Sequence, residues 1–472
     1  MKPGTGYKTV PLGSQWNRWT WCLRLRPFFT DLLAAIVIAY YFSLAYRRLL
    51  ATKGMSIALM LALGLGVGAS MTMLTVVDAM TWDPLPGRSN HLFHPVLDPL
   101  PASYPVRAGR DPRMAMAWPD AQALLKLGPA SQQVALASGK LLVDSQMGVP
   151  RPFHARGQYA TASVFEMFGI AMVAGRPWTQ GEQERRARVV VLSRSLAARV
   201  GLGERQVGNT VRLGGRSFTV IGIAEDWKPG PRFHTDLQQE VFKGSEEFFI
   251  PLGLTMDLDL EVTSSLFSWS DAGTGNRLED PRSSWLQYWV ELGDGTQKAA
   301  YMRFLEHYVQ AQVDVGRFER YVTPRLPSLH EYLNEQQIVP DEVRLQLALC
   351  IAFLAVCLLN MSALILARFL GRSHEIAIRR ALGARRIDII GQLLSEAAII
   401  GACGGLIGLL VAQLGTALVR RQPEDYAALV HLHPGLMMAT LVLALVSSLV
   451  AALPPALRTL SGRVAMQISV AE

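Results

Sequence analysis

Four runs of the chain stay apolar for long enough to cross a bilayer, which takes about 20 residues. They are Met55 to Val77, Leu345 to Ala367, Ala397 to Val419 and Pro434 to Leu457. The first carries no charge, and the second has only Gln346 and Asn360 as strongly polar members. A fifth run, Leu32 to Tyr46, is shorter and passes straight into Arg47-Arg48. That pattern predicts an interfacial helix lying on the cytoplasmic face rather than a further span.

Between the first and second spans the pattern changes, and residues 78–344 alternate strand and helix signals. Val189-Val190-Val191-Leu192 is a buried-strand run, and Ser195 to Val200 reads as a short helix. Thr210 to Leu213 and Arg216 to Ile223 flank Gly214-Gly215, a two-residue hairpin signal. Leu286 to Leu292 reads as a strand and Gln297 to Val313 has helical spacing. The stretch from Glu225 to Ser284, rich in Pro, Gly, Asp and Ser, reads as an irregular insertion. Its aromatics (Trp227, Phe233, Phe242, Phe248, Phe249, Phe267 and Trp269) suit a covered core better than an exposed apolar surface.

The expected fold class is therefore integral membrane and α-helical: four transmembrane helices with a large α+β extracytoplasmic domain between the first and second. The division is a basic cytoplasmic tail with the interfacial helix (1–54), span one (55–77), the outer domain (78–344) and span two (345–367). A cytoplasmic elbow (368–396), span three (397–419), a short outer loop (420–433), span four (434–457) and a cytoplasmic tail (458–472) complete it.

Half of the 472 residues are apolar and the mean hydropathy is +0.21, which fits several spans plus a sizeable polar domain. The net charge of +8 points away from nucleic acid once its placement is considered. Residues 1–54 hold Lys2, Lys8, Arg18, Arg24, Arg26, Arg47, Arg48 and Lys53 against the single acid Asp31. A basic block beside a span marks a cytoplasmic flank. The same rule places Arg368, Arg372, Arg379, Arg380, Arg385 and Arg386 inside, with Arg458 and Arg463. Both termini are then cytoplasmic. Arg420 and Arg421 fall on the wrong side and are offset by Glu424 and Asp425. No signal-peptide cleavage pattern is evident, so span one is expected to remain as an anchor.

Cys22, Cys350, Cys357 and Cys403 are the four cysteines. None lies in 78–344, so no disulfide framework is implied.

Small residues mark spans one and three. Gly64 with Gly68, Gly401 with Gly405 and Gly404 with Gly408 each form G-x-x-x-G. Such stripes let helices approach closely in lipid, within the chain or across a dimer.

Several chemical motifs fail. Gly4-Thr5-Gly6-Tyr7-Lys8-Thr9 has Tyr7 where a phosphate loop needs its second glycine. His91 with His94, and His431 with His433, lack companion ligands for a metal. Asp257, Asp259 and Glu261 alternate with apolar residues and read as the wet face of a strand. No nucleophile motif is present.

One segment stands apart: Ser373-His374-Glu375-Ile376-Ala377-Ile378-Arg379-Arg380-Ala381-Leu382-Gly383-Ala384-Arg385-Arg386. It reads as a short helix extending span two, capped by Gly383, with a new helix starting towards span three. The result is a helical elbow with Ala381-Leu382 near its apex, as distinct from an ordinary amphipathic juxtamembrane loop.

This segment resembles the REIAIRRALGA motif of MacB/FtsX-like permeases, with His374 in place of the usual Arg. Phe165 to Trp178, Val189 to Ala197 and Gly208 to Ile223 resemble the MacB-like periplasmic core domain. Ala62 to Ser70 resembles that family's first span, and Leu453-Pro454-Pro455-Ala456-Leu457-Arg458 the end of its fourth. The matches run in the family's order from about residue 40 onward, and the resemblance does not extend to residues 1–38.

The resemblance implies a dimeric, non-catalytic permease of the bacterial inner membrane, driven by a separate ABC ATPase subunit. The ATPase would dock on Glu375, Ile378, Arg379, Arg380, Ala381, Leu382, Gly383, Ala384 and Arg386. Many members work by mechanotransmission, driving periplasmic events without passing substrate through the membrane. ATP and Mg²⁺ belong on the ATPase, and no cofactor is expected on this chain. The implied partners are that ATPase, a second permease copy or homologue, membrane lipids and, as an option, a periplasmic adaptor protein. Nucleic acid is not among them. A membrane-anchored sensor or scaffold without transport is the alternative reading. The substrate is not legible.

Overall fold

The computed structural model describes residues 43–461 except 106–110, 145–150, 203–206, 237–240, 243, 270–275, 372–374, 376–377, 380 and 424–425. The interfacial helix expected over Leu32 to Tyr46 lies mostly outside the described residues. The main helices, in chain order, are α1 (43–51), α2 (Lys53–Thr81), α3 (Trp118–Leu127), α4 (Gly295–Asp314), α5 (Leu329–Glu335), α6 (Asp341–Leu370), α7 (Arg386–Val419) and α8 (Pro434–Ser461). The chain divides into two compact units. One is helical, formed by residues up to Thr75, Leu345–Val419 and residues from Leu432 onward. The other is α/β, formed by Val76–Arg344 with Arg420–His431.

In the helical unit α2, α6, α7 and α8 are each long and apolar enough to cross a membrane. Their apolar core gathers Leu59, Leu63 and Val67 of α2, Leu354 and Met361 of α6, Ala397 and Ile400 of α7, and Ala444 and Ala451 of α8. Polar side chains on these helices turn back on the backbone, as lipid would require. The Ser70 hydroxyl lies 2.9 Å from the Gly66 carbonyl and 3.0 Å from that of Cys350, which ties α2 to α6.

The α/β unit is built on one mixed sheet. Its strands are β1 (Leu92–Phe93), β2 (Met116–Ala117), β3 (Gln132–Val143), β4 (Phe153–Ala160), β5 (Met172–Gly175), β6 (Val189–Ser193), β7 (Thr210–Leu213), β8 (Arg216–Ala224), β9 (Phe248–Pro251), β10 (Phe267–Ser268) and β11 (Ser283–Glu291). The order is β1-β11-β3-β4-β9-β6-β8-β5, with β2 and β10 on β11 and β7 bridging β3 and β8. Gly214 and Gly215 take φ of +57° and +73°, the left-handed pair that a tight β7–β8 hairpin needs. Capping follows local chemistry. The Asp294 carboxylate accepts from the Gln297 N–H at 2.8 Å to start α4, and Ser328 with Glu331 forms a capping box on α5.

Two sequence expectations need correction here. The irregular insertion over 225–284 contains β9, a central strand that runs parallel to β4 and antiparallel to β6. The strand is only Phe248-Phe249-Ile250-Pro251, too short to show alternation and closed by a proline, so its flanking loop composition masked it. The alternating acids do not sit on a strand either. Leu254–Asp257 is a short helix, Asp257 pairs with Arg186, and Asp259 has a left-handed φ of +51°. Among the aromatics of this region, Phe233, Phe248 and Phe249 are fully buried, while Trp227 is half-buried and stacks on Phe168 at 5.6 Å.

The unit also encloses charge. Glu246 is buried and is held by Arg232 and by the His234 ring nitrogen at 2.8 Å. Burial alone would raise its carboxyl, but the Arg232 charge and the hydrogen bonds from His234 and Arg232 outweigh it and hold the group at about 2. His94 lies 5.0 Å from the Trp289 ring and 4.5 Å from the Tyr332 ring, with its Nε2 3.2 Å from the Met114 carbonyl oxygen. Its burial disfavours the imidazolium and brings the ring down to about 4, against the Met114 bond, which pulls the other way.

A histidine held neutral in the fold contributes stability that is complete above its unfolded value of about 6.5 and is lost as pH falls towards 4. Acidification from pH 7 to 5 should therefore remove about 2 kcal/mol through His94 alone. Glu246 contributes nothing in that window, since its stabilisation is lost only below its unfolded value of 4.5. Melting followed by tryptophan fluorescence should show a steeper fall over pH 7 to 5 in the wild type than in His94→Gln. Equal slopes would remove His94 from the acid response.

Candidate functional site

The elbow is assembled from two helix ends. α6 stops at Leu370, where the Gly371 N–H meets the Ala367 carbonyl at 3.1 Å, and residues 372–374, between it and the elbow helix, lie outside the described residues. Glu375, Ile378, Arg379 and Ala381 are helical. The turn closes at Gly383 with φ of +101°. The Ala384 N–H returns to the Arg379 carbonyl at 3.0 Å, the long bond of a Schellman cap. Only two residues later α7 begins at Arg386, and the Asp388 carboxylate at its third position accepts from the Arg385 N–H at 2.9 Å. The elbow thus feeds directly into a 34-residue helix.

This geometry sets what the elbow presents. Leu382, at the turn, is 83% exposed, and Ile378 and Ile387 are 48% and 70% exposed. Ala381 and Gly383 are exposed as well, and Ala384 is half-buried. Glu375 accepts from Arg379 one turn on at 2.8 Å, so this basic side chain is spent inside the elbow. Arg380 lies outside the described residues, and Arg386 opens α7.

Three residues that the sequence reading passed over close the other side of the elbow. Arg48 of α1 bonds Glu375 at 2.8 Å and reaches Glu396 of α7 at 3.7 Å. Gln392 of α7 accepts from Arg379 at 3.3 Å. One signal for them was available: Glu396 adjoins an apolar span, where a carboxylate needs a cation.

The glycine stripes form two seams, both within the one chain. A Cβ on Gly64 would lie 2.6 Å from Ile407 and 3.0 Å from the Gly404 carbonyl, and one on Gly68 would lie 2.6 Å from Val411 and 2.8 Å from the Gly408 carbonyl. In return Gly404 and Gly408 leave room for Leu63 and for the backbone at Gly64. The other face of α7 serves α8, where a Cβ on Gly401 would meet Ser448 at 2.2 Å and one on Gly405 would meet Ala444 at 3.1 Å. The two overlapping motifs of span three therefore face different neighbours.

Four membrane-length helices, an α/β unit inserted between the first and second, and a capped elbow before the third define a multi-span permease architecture. The chain matches the MacB-like periplasmic core domain over residues 56–308 and the FtsX-like permease C-terminal region over 347–463. It belongs to the MacB/FtsX-like ABC transporter permeases and is a multi-pass membrane protein.

Among curated relatives, it is 22% identical over 249 residues to the macrolide export ATP-binding/permease protein MacB of Hahella chejuensis, covering 52% of this chain and 33% of that one. It is 26% identical over 249 residues to the probable syringafactin export ATP-binding/permease protein SyfD of Pseudomonas syringae pv. tomato, covering 52% and 32%. The chain thus spans about a third of the length of these relatives. The periplasmic region of MacB from Actinobacillus actinomycetemcomitans aligns over 53% of this chain and 94% of its own, at 15% identity and a TM-score of 0.33.

If the α2–α7 seam is set by backbone approach, bulk at Gly68 must force it apart. Gly68→Ile should cost about 1–3 kcal/mol through overpacking and lower the melting temperature of the detergent-solubilised protein. Gly54→Ile, in open space, has no such clash to relieve. Equal melting of the two variants would mean the seam is not close-packed.

Proposed function

We propose that this chain is the non-catalytic permease subunit of an ABC system, coupling ATP hydrolysis on a partner ATPase to movement of the α/β unit. The observation that carries the reading is Leu382: a large apolar side chain, almost fully exposed, at the apex of a turn fixed by Gly383 and joined to α7 through Ala384-Arg385 alone. Water is a poor environment for it, and an apolar groove on an ATPase is a good one. α7 then conveys motion along its length, which is mechanotransmission. ATP and Mg²⁺ are bound by the ATPase, and none of this chain's residues is assigned to them.

The basic flanks support an arrangement in the bacterial inner membrane with both termini and the elbow cytoplasmic and the α/β unit outside. The working assembly is a dimer with a second permease copy or homologue, with lipids around it and an adaptor as an option outside. The relatives' names refer to export of different compounds, macrolides and syringafactin, so cargo is not inferred from them.

Two tests follow. Losing a central apolar anchor costs about 2 kcal/mol or more, roughly thirtyfold in affinity. Leu382→Asp should leave the permease inserted and folded while weakening ATPase association and the ATP turnover it supports in nanodiscs. Wild-type association and turnover would remove the elbow from the mechanism and favour the scaffold. For orientation, in a background without native cysteines, Ser131→Cys should react with an impermeant thiol reagent on intact cells and Ala381→Cys should not. Both positions are exposed, so the reverse pattern would invert the topology. Ser284, by contrast, is fully buried and unsuitable for such labelling.

A further inference from the structure

The α/β unit holds a cavity of about 320 Å³ against β3 and β4. Ligand sites are commonly of that size, about 300–1,000 Å³. The cross-strand pair Gly139 and Gly157 lends it bare backbone. A Cβ on Gly139 would strike Tyr159 and one on Gly157 would strike Phe248, both members of the apolar core. Side chains alternate along a strand, so Lys140 and Arg156 point to the opposite face, where the cavity lies.

Lys140 and Arg156 stand directly opposite each other in the β3–β4 register, and both are half-buried. Like charges placed so repel and cost stability. Among the described residues the Lys140 side chain makes no hydrogen bond or ion pair, although Asp236 and Glu261 line the same cavity. Arg232, a third cation of the lining, is held by Glu246.

Three hydroxyls of the lining are poised as donors. Ser138 Oγ accepts from Gln158 Nε2 at 3.0 Å, and Ser264 Oγ accepts from the Ser138 N–H at 2.9 Å. Each therefore keeps its own proton to give. The Thr263 N–H is bound to the Ser138 carbonyl at 2.8 Å, while its hydroxyl makes no bond among the described residues. An ammonium and three hydroxyl donors facing one polar space suit an anion.

We propose that this cavity binds the anionic group, carboxylate or phosphate, of a small polar molecule, with Lys140 supplying the charge and Ser138, Thr263 and Ser264 the hydrogen bonds. Asp236 and Glu261 limit the choice: they would repel a polyanion, so a single anionic group on a neutral or amine-bearing body fits. The proposal concerns the α/β unit alone and does not depend on the elbow or on an ATPase.

The test follows melting of the whole chain in detergent by tryptophan fluorescence, in acetate, phosphate or chloride at matched ionic strength. Acetate or phosphate, at several times its dissociation constant, should raise the wild-type melting temperature above that in chloride by about 2–4 °C. Lys140→Met should lose this gain and, with the cross-strand repulsion gone, melt no lower than the wild type in chloride. Lys126→Met, which removes an exposed lysine of α3, should keep the gain. Phosphate stabilises folded proteins in general, so the difference between the wild type and Lys140→Met is what decides. Selective response to one of the two anions identifies the ligand group. An equal gain in Lys140→Met would overturn the proposal, and so would the absence of a gain from either anion in the wild type. A Lys140→Met protein that melts below the wild type in chloride would overturn it as well, because the amine would then already have its partner within the fold.

Discussion

The close approach of α7 to α2 is the contact on which the other features depend. Inside a bilayer, apolar side chains gain little by leaving lipid for one another, so association rests on how closely the helices pack. Gly64 and Gly68 on one helix and Gly404 and Gly408 on the other bring backbone to within reach of side chain, with no atom to spare. On its opposite face α7 receives Ser448 and Ala444 of α8 at Gly401 and Gly405. α7 is thus held on two faces over Gly401 to Val411, in the middle of its length. At about 1.5 Å per residue, its 34 residues extend about 50 Å.

The two ends of α7 lie in different surroundings. One end is the elbow, whose turn is locked by Gly383 and whose first α7 turn is closed by Asp388. The other end passes into residues 420–431, which belong with the α/β unit. There Tyr426 meets Phe242 edge-on at 6.5 Å, Leu429 packs beside Gly230, and Val430 is fully buried. The connection between the last two spans is therefore not a free loop but part of the folded α/β core. Charge is treated with matching economy: Glu246 and Glu396 are both buried, and each is met by an arginine.

The spans, the inserted domain and the elbow were legible in the sequence because each has a signal of its own. Apolar length marks a span whatever its neighbours do, and Gly383 after a basic helical run marks a cap. The β7–β8 hairpin was legible for the same reason, since Gly214-Gly215 takes a backbone conformation that other residues avoid. β9 was not, because four residues ending in Pro251 look like loop until β4 and β6 are placed on either side. The distant partner of Glu375 was hidden for a related reason. Arg48 lies 327 positions away, and a basic pair before a span already has an explanation as a topological flank. Which glycines meet which helix was equally out of reach, because G-x-x-x-G names a close contact without naming its partner.

The central claim is that displacement of the elbow reaches the α/β unit through α7. It is tested most directly by labelling Arg385→Cys and Ser131→Cys, both exposed positions outside the docking set, in one chain lacking its four native cysteines and measuring the distance between the labels in nanodiscs containing the ATPase partner, with and without a non-hydrolysable ATP analogue. The account predicts that the distance distribution shifts on nucleotide binding in the wild type and stays fixed in the Gly68→Ile background, where the α2–α7 seam is opened. A distribution that does not move with nucleotide, while the ATPase is bound and saturated, would contradict it.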